Sequence, residues 1–144
     1  MKIESATGPE GDIALENPLL DYLGGRLVDW APGRCELWLD IEPRHLNRAG
    51  DLHGGASATM LDAACGYAGL HSSVDAAPAS AVTVTLAISY LGRVQHGRIR
   101  ARARITGSGR RLYFAAAELI ADDGRVVATA QGSFRRSASA SEGT

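Results

Sequence analysis

The segment Asn47-Arg48-Ala49-Gly50-Asp51-Leu52-His53-Gly54-Gly55 runs straight into Ala56-Ser57-Ala58-Thr59-Met60-Leu61-Asp62-Ala63-Ala64-Cys65-Gly66-Tyr67-Ala68-Gly69-Leu70-His71. The first part is polar and glycine-rich; the second is small and apolar, with one carboxylate, Asp62, near its middle. That succession reads as a loop opening a long helix. With a start at Gly54 or Gly55 the helix would have about 18 residues and a length of roughly 27 Å. Its first N–H groups would lack intrahelical acceptors and carry the positive end of the helix dipole. Glycine there lets a ligand approach the backbone closely. Ala56, Ala58, Ala63, Ala64, Gly66, Ala68 and Gly69 add so little bulk that strands can come close on most sides.

Working outward, Asn17 followed by Pro18 supplies a cap and a first-turn proline, and Gly24-Gly25 a stop, so a short helix is expected over Pro18–Leu23. Residues 25–31 and 34–41 alternate in polarity around Pro32-Gly33, which is turn chemistry, and read as a hairpin. Beyond the long helix, residues 82–91, 97–106, 110–121 and 124–135 are extended runs with short glycine-containing connections, which suggests an antiparallel meander. In the second run Ile99, Ala101, Ala103 and Ile105 alternate with Arg98, Arg100, Arg102 and Arg104, so one face is buried and the other wet. Glu118, Asp122 and Asp123 could pair with those arginines across strands.

One long helix flanked by strands in sequence buries itself best against a single curved antiparallel sheet. The expected class is therefore α+β, with the helix wrapped by five to six strands and a short N-terminal helix added. Residues 17–136 form one domain; 1–16 and 137–144 lack sustained periodicity and read as flexible ends.

A chain of 144 residues, 45% hydrophobic, can build one real core. Its net charge of −1, with 22% charged residues, gives no field that would draw it to nucleic acid or an anionic membrane. No apolar run is long enough to span a bilayer, and no secretory leader pattern precedes Cys35 and Cys65. A cytoplasmic protein with reduced thiols is expected. His45, His53 and His71 do not fall into a metal-binding motif, so no metal is expected.

Taken together, Asn47, Gly50, His53-Gly54-Gly55 and Asp62, the strand at 82–91, Gly109-Arg110-Arg111 and the run Asp123 to Ala128 resemble the hotdog-fold acyl-CoA thioesterases, in the phenylacetic-acid-pathway and Arthrobacter-type 4-hydroxybenzoyl-CoA branch. The resemblance covers residues 18–135. The spacing from Asn47 through His53-Gly54-Gly55 to Asp62 is its most specific part. It implies a homo-oligomer, a dimer whose sheets join edge to edge and in many members a tetramer, acting on an acyl-CoA without a cofactor. It also implies Gly54 N–H as the main oxyanion donor, with Gly55 allowing close approach, and Asn47 as the amide beside the thioester or the attacking water. His53 would touch the thioester region or hold the loop. Arg110 and Arg111, with Arg93 a further candidate, would meet the CoA phosphates, which suit guanidinium.

The chemistry can be argued beside the resemblance. Thioester hydrolysis needs a stabiliser for the carbonyl oxygen and a base or nucleophile. The helix start offers the first. Asp62 offers the second, as general base on water or as a nucleophile forming an anhydride. Cys65 has nothing nearby to lower its pKa and reads as core. Asp62 lies eight residues beyond Gly54, about 12 Å along one helix, so both can act on one carbonyl only from different subunits.

Some relatives carry a hydroxyl one turn past the acid; here that position is Gly66, so Asn47 or a strand hydroxyl such as Ser89 would have to hold water. Met60, Tyr67 and Tyr90 fit an aryl or a medium-chain acyl pocket equally well. Two other readings are a hotdog hydratase or dehydratase, whose histidine motifs are absent, and a non-catalytic acyl-CoA-binding protein.

Overall fold

Asn17 and Gly24 define the first helix, as their residue types require. In a computed structural model, which describes residues 3–7, 13–15, 17–71 and 80–137, α1 spans Pro18–Leu23, the Asn17 side chain accepts from Leu20 N–H, and Gly24 closes the helix at φ 87°. The hairpin follows as β3, Arg26–Ala31, and β4, Arg34–Asp40, turning at Gly33 with φ 81°. A 3-10 turn at Pro43–His45 leads to the loop that opens α2, Gly54–Ala68. The remaining strands are β5, Ala81–Tyr90; β6, Arg98–Ser108; β7, Leu112–Ile120; and β8, Val126–Arg136.

Within residues 1–16, read above as a flexible end, two short strands are described, β1, Ile3–Thr7, and β2, Ile13–Leu15. They pair with each other and, through Ile13 and Leu27, with β3. Segments this short show no periodicity to read. The expected tail lies outside the described residues except Ser137, whose N–H bonds to Ser80 O at 2.8 Å.

The strands form one antiparallel sheet in the order β1-β2-β3-β4-β6-β7-β8-β5. Strands β3 to β8 are the curved sheet of the hotdog fold, with α2 against one face. The meander holds for β6, β7 and β8, but β5 pairs with β8 at the far edge and β6 pairs with β4. From β5 to β6 the chain must cross three strand spacings, about 14 Å. Residues 91–97 reach that far when extended, anchored on the way by Leu52 N–H on Val94 O and Ile41 N–H on Gly97 O, both 2.8 Å.

Helix α2 ends earlier than expected, at Ala68, where the C-cap Gly69 leaves helical geometry at φ −97° and ψ 3° and packs under the Tyr113 ring; a Cβ there would lie 2.3 Å from it. Its buried side chains, including Met60, Leu61, Ala64, Cys65, Tyr67 and Ala68, repeat at helical spacing and meet Leu37, Leu39, Ile99, Tyr113, Leu119 and Phe134 of the sheet. The opposite stripe, with Gly55, Thr59, Asp62 and Gly66, is not buried. One chain therefore covers one side of α2.

The outer sheet face is the polar one. Two of its arginines pair with β4: Arg102 Nε meets Glu36 at 2.6 Å and Arg98 Nε meets Asp40 at 2.7 Å. Asp122 instead accepts the Arg98 backbone N–H, and Asp123 pairs with Arg125. Strand β6 has neighbours on both sides, and the sequence shows only the one that follows it.

Candidate active site

At the start of α2 the backbone is held so that one N–H points outward. His53 is the N-cap, at φ −62° and ψ 134°, and its carbonyl accepts from Ala56 N–H (2.9 Å) and Ser57 N–H (3.1 Å). A trans peptide points its N–H opposite to its carbonyl. The Gly54 N–H, on that same peptide, is thus directed out of the helix end, and it has no acceptor among the described residues. The Gly55 N–H is taken: it donates to His53 Nδ1 at 2.7 Å. A neutral His53 ring with an accepting Nδ1 carries its proton on Nε2, and the side chain is exposed.

The loop before the helix is braced through Asn47. Its Oδ1 accepts from Ala49 N–H at 2.9 Å and Asp51 N–H at 3.0 Å, and Gly50 turns the chain at φ 84°. That leaves the exposed Asn47 Nδ2 as the donor able to meet a ligand. Beneath the loop sits His45, 2% exposed, a residue weighed in the sequence only as a metal ligand. Its Nδ1 accepts from Glu42 N–H at 2.9 Å, so Nε2–H donates to Leu23 O at 2.7 Å, while its own carbonyl takes His53 N–H at 2.8 Å. The end of α1 is thereby tied to the cap of α2.

Asp62 lies on the half-exposed stripe of α2 and accepts a hydrogen bond from Thr83 Oγ1 at 2.7 Å. Strict alternation along β5 would put Thr83 on the outer face with Thr85, Ala87 and Ser89. A bulge between Thr83 and Thr85 breaks the register and turns Thr83 toward the helix. Gly132 on β8 permits the bulge: a Cβ there would lie 2.4 Å from Thr85 O. Ser89, the strand hydroxyl expected near Asp62, instead lines an outer-face groove of about 400 Å³ with Arg104, Glu118 and Gln131.

Within one chain the structure thus joins His53 to Gly55 at the start of α2, holds Asn47 in the loop that leads there, and leaves Asp62 with Thr83, about 12 Å along α2. Arg93 belongs to the Gly54 end, 3.7 Å from Asp51. Arg110 and Arg111 are exposed in the turn between β6 and β7, beyond the other end of α2, where Arg136 joins Gly109 O and Gly69 O. Cys65 is fully buried. Burial, and then the Asp62 carboxylate, push its thiol up to about 12, so it is no nucleophile at neutral pH.

The model of the thioesterase superfamily matches residues 49–128, a span holding the α2 start, Asp62 and Thr83. A Pseudomonas aeruginosa protein with a provisional esterase name is 35% identical over 130 residues, 88% of this chain and 95% of its own length. The mouse acyl-coenzyme A thioesterase 13 is 34% identical over 94 residues, 65% of each chain. The solved structure of a mutant of the Thermus thermophilus phenylacetic acid degradation protein superposes with a TM-score of 0.73 at 25% identity, covering 84% of this chain and all of that one.

Proposed function

The chain belongs to the thioesterase superfamily and is a thioester hydrolase, and we propose that it cleaves aryl- or short- to medium-chain acyl-CoA into free acid and CoA at sites shared by two subunits. In this reading it sits in the branch of the phenylacetic-acid-pathway and Arthrobacter-type enzymes. The carrying observation is the pairing of an outward Gly54 N–H, without an acceptor among the described residues, with a hydroxyl-held Asp62 on the same helix, too far apart to serve one carbonyl.

The thioester oxygen would sit on Gly54 N–H, where the helix dipole and a preorganised donor stabilise the charge that develops. Asn47 Nδ2 would supply a second donor. Asp62 of the other subunit would take a proton from water as the water oxygen attacks the carbonyl carbon. Collapse of the tetrahedral intermediate would expel CoA thiolate, which the proton neutralises. Thr83, donating to Oδ1, would leave Oδ2 aimed at the water. Direct attack by Asp62 to form an anhydride fits the same placement. Neither route calls for a metal or cofactor.

Two features support a second copy as partner. Strand β5 ends the sheet, and it exposes Val82 at 59% and Val84 at 55%, an apolar edge of the kind proteins cover. The open stripe of α2 carries Asp62. Pairing of β5 strands would make one continuous sheet and bring two α2 helices near each other; dimers would associate further into a tetramer. Arg110, Arg111 and Arg93 would meet the CoA phosphates, and the free, buried Cys35 and Cys65 suit a cytoplasmic setting.

Thiol release from a panel of aryl- and alkyl-CoA thioesters, wild type against Asp62→Asn, tests the reading. Turnover by the wild type and a loss of at least about 100-fold in the variant are expected. Tight binding without turnover would instead make the protein an acyl-CoA-binding module, and water addition to an enoyl-CoA a hydratase.

A further inference from the structure

Two adjacent glycines at a helix start are the least restrained backbone the chain could place there, yet an oxyanion donor works only when its direction is fixed before the substrate arrives. The peptide between Gly54 and Gly55 is gripped at both ends. Its N–H goes to His53 Nδ1 at 2.7 Å, and its carbonyl, Gly54 O, accepts the Tyr90 hydroxyl at 2.7 Å. The Tyr90 ring also lies over Gly54, so that a Cβ on Gly54 would touch its Cζ and Oη at 3.4 Å.

Tyr90 itself is well anchored. It is the last residue of β5, opposite Ala128, and the next two N–H groups, of Leu91 and Gly92, both bond to Val127 O at 2.9 and 3.1 Å. The residue is 56% exposed, too open for core packing to be its main use. An anchored phenol reaching from the sheet edge onto one carbonyl of the diglycine is a strut.

We propose that Tyr90 is the positioning residue of the oxyanion hole: with His53 it locks the Gly54–Gly55 peptide plane, fixing the ψ of Gly54 and so the aim of the donor one peptide earlier. This rests on the thioesterase reading for its catalytic consequence and on geometry alone for its structural one. Tyr90 would not touch the reacting atoms. Losing it would lower the rate of the chemical step and leave acyl-CoA affinity nearly unchanged, because a loosened donor costs transition-state stabilisation more than ground-state binding.

Tyr90→Phe keeps the ring over Gly54 and removes only the hydroxyl. Two measurements on the full chain test the proposal. By amide hydrogen exchange, Gly55 should exchange at least about tenfold faster in the variant while amides of β6 and β7 keep their protection. With an acyl-CoA that the wild type turns over, kcat should fall about five- to tenfold with KM changed less than twofold. Unchanged Gly55 exchange would overturn the proposal whatever the activity; changed exchange with wild-type kcat would overturn its catalytic part. A wild type that turns over no acyl-CoA would sink the thioesterase reading instead, and the exchange comparison would still decide whether Tyr90 holds the diglycine.

Discussion

Thr83 Oγ1 donates to Asp62 Oδ1 at 2.7 Å, joining the edge strand β5 to the one carboxylate on the open stripe of α2. A hydroxyl on one oxygen fixes the carboxylate rotamer and leaves the second oxygen free. Thr83→Val, which keeps the shape and removes the hydroxyl, should lower kcat about tenfold, the scale of one hydrogen bond to a charged group, and Thr83→Ser should retain most activity. A valine variant with wild-type turnover would remove Thr83 from the site.

The Thr83 position depends on a residue on another strand. A methyl at Gly132 would meet Thr85 O at 2.4 Å, so Gly132→Ala must push β5 away from β8 or undo the bulge. Strain of this kind costs about 1–3 kcal/mol. Thermal unfolding should begin several degrees lower, and turnover should fall at least as far as in Thr83→Val; an unchanged melting temperature would mean that the bulge does not need the glycine.

These two residues show where the sequence was legible. Helix α1, the β3–β4 hairpin and the start of α2 follow from caps, turn glycines and periodicity, all written within a few residues of where they act. The Gly54 to Asp62 spacing carried the shared-site argument because a helix converts residue number into distance. Thr83 was hidden because a bulge reverses the inside-outside alternation, and the bulge is permitted by Gly132, which is adjacent only after folding. The place of β5 at the sheet edge was hidden likewise, since a seven-residue link looks the same whether it turns back beside its own strand or crosses two others. His45 gave no signal at all: nothing around Arg44-His45-Leu46 says that the ring is buried between two backbone segments.

Cys65 should behave as core. Its thiol is pushed from 9.0 to about 12 by burial and by the Asp62 carboxylate, and burial also pushes the Cys35 thiol upward. A raised folded-state pKa means that the contribution to stability is whole below the unfolded value, near pH 9, and is lost as pH rises toward 12. The urea midpoint should fall across that window and fall less in Cys65→Ala, while native protein at pH 7.5 should resist iodoacetamide. Rapid alkylation of Cys65 with loss of activity would contradict this.

Gly66 is an open position in the last turns of α2: a Cβ there meets nothing within 4 Å. Gly66→Ala should therefore stabilise the helix by up to about 1 kcal/mol, seen as a higher melting temperature. Gly66→Ser would add a hydroxyl one turn beyond Asp62 and is expected to raise kcat by helping to hold the attacking water. A lower melting temperature for the alanine variant would show that other atoms occupy that space in the assembled protein.

Gly54→Pro offers a clean deletion of the proposed oxyanion donor. Proline suits the first helical position, His53 already has the extended backbone that a residue before proline adopts, and Gly54→Ala serves as a control that keeps the N–H. The measurement that tests the shared site most directly is thioesterase activity after unfolding and refolding Gly54→Pro and Asp62→Asn chains together. Each variant alone should be nearly inactive. Random pairing makes about half the dimers mixed, and each mixed dimer has one intact site out of two, so activity should recover to about a quarter of wild type. Activity no greater than the average of the two parents would contradict a site built from Gly54 of one subunit and Asp62 of another.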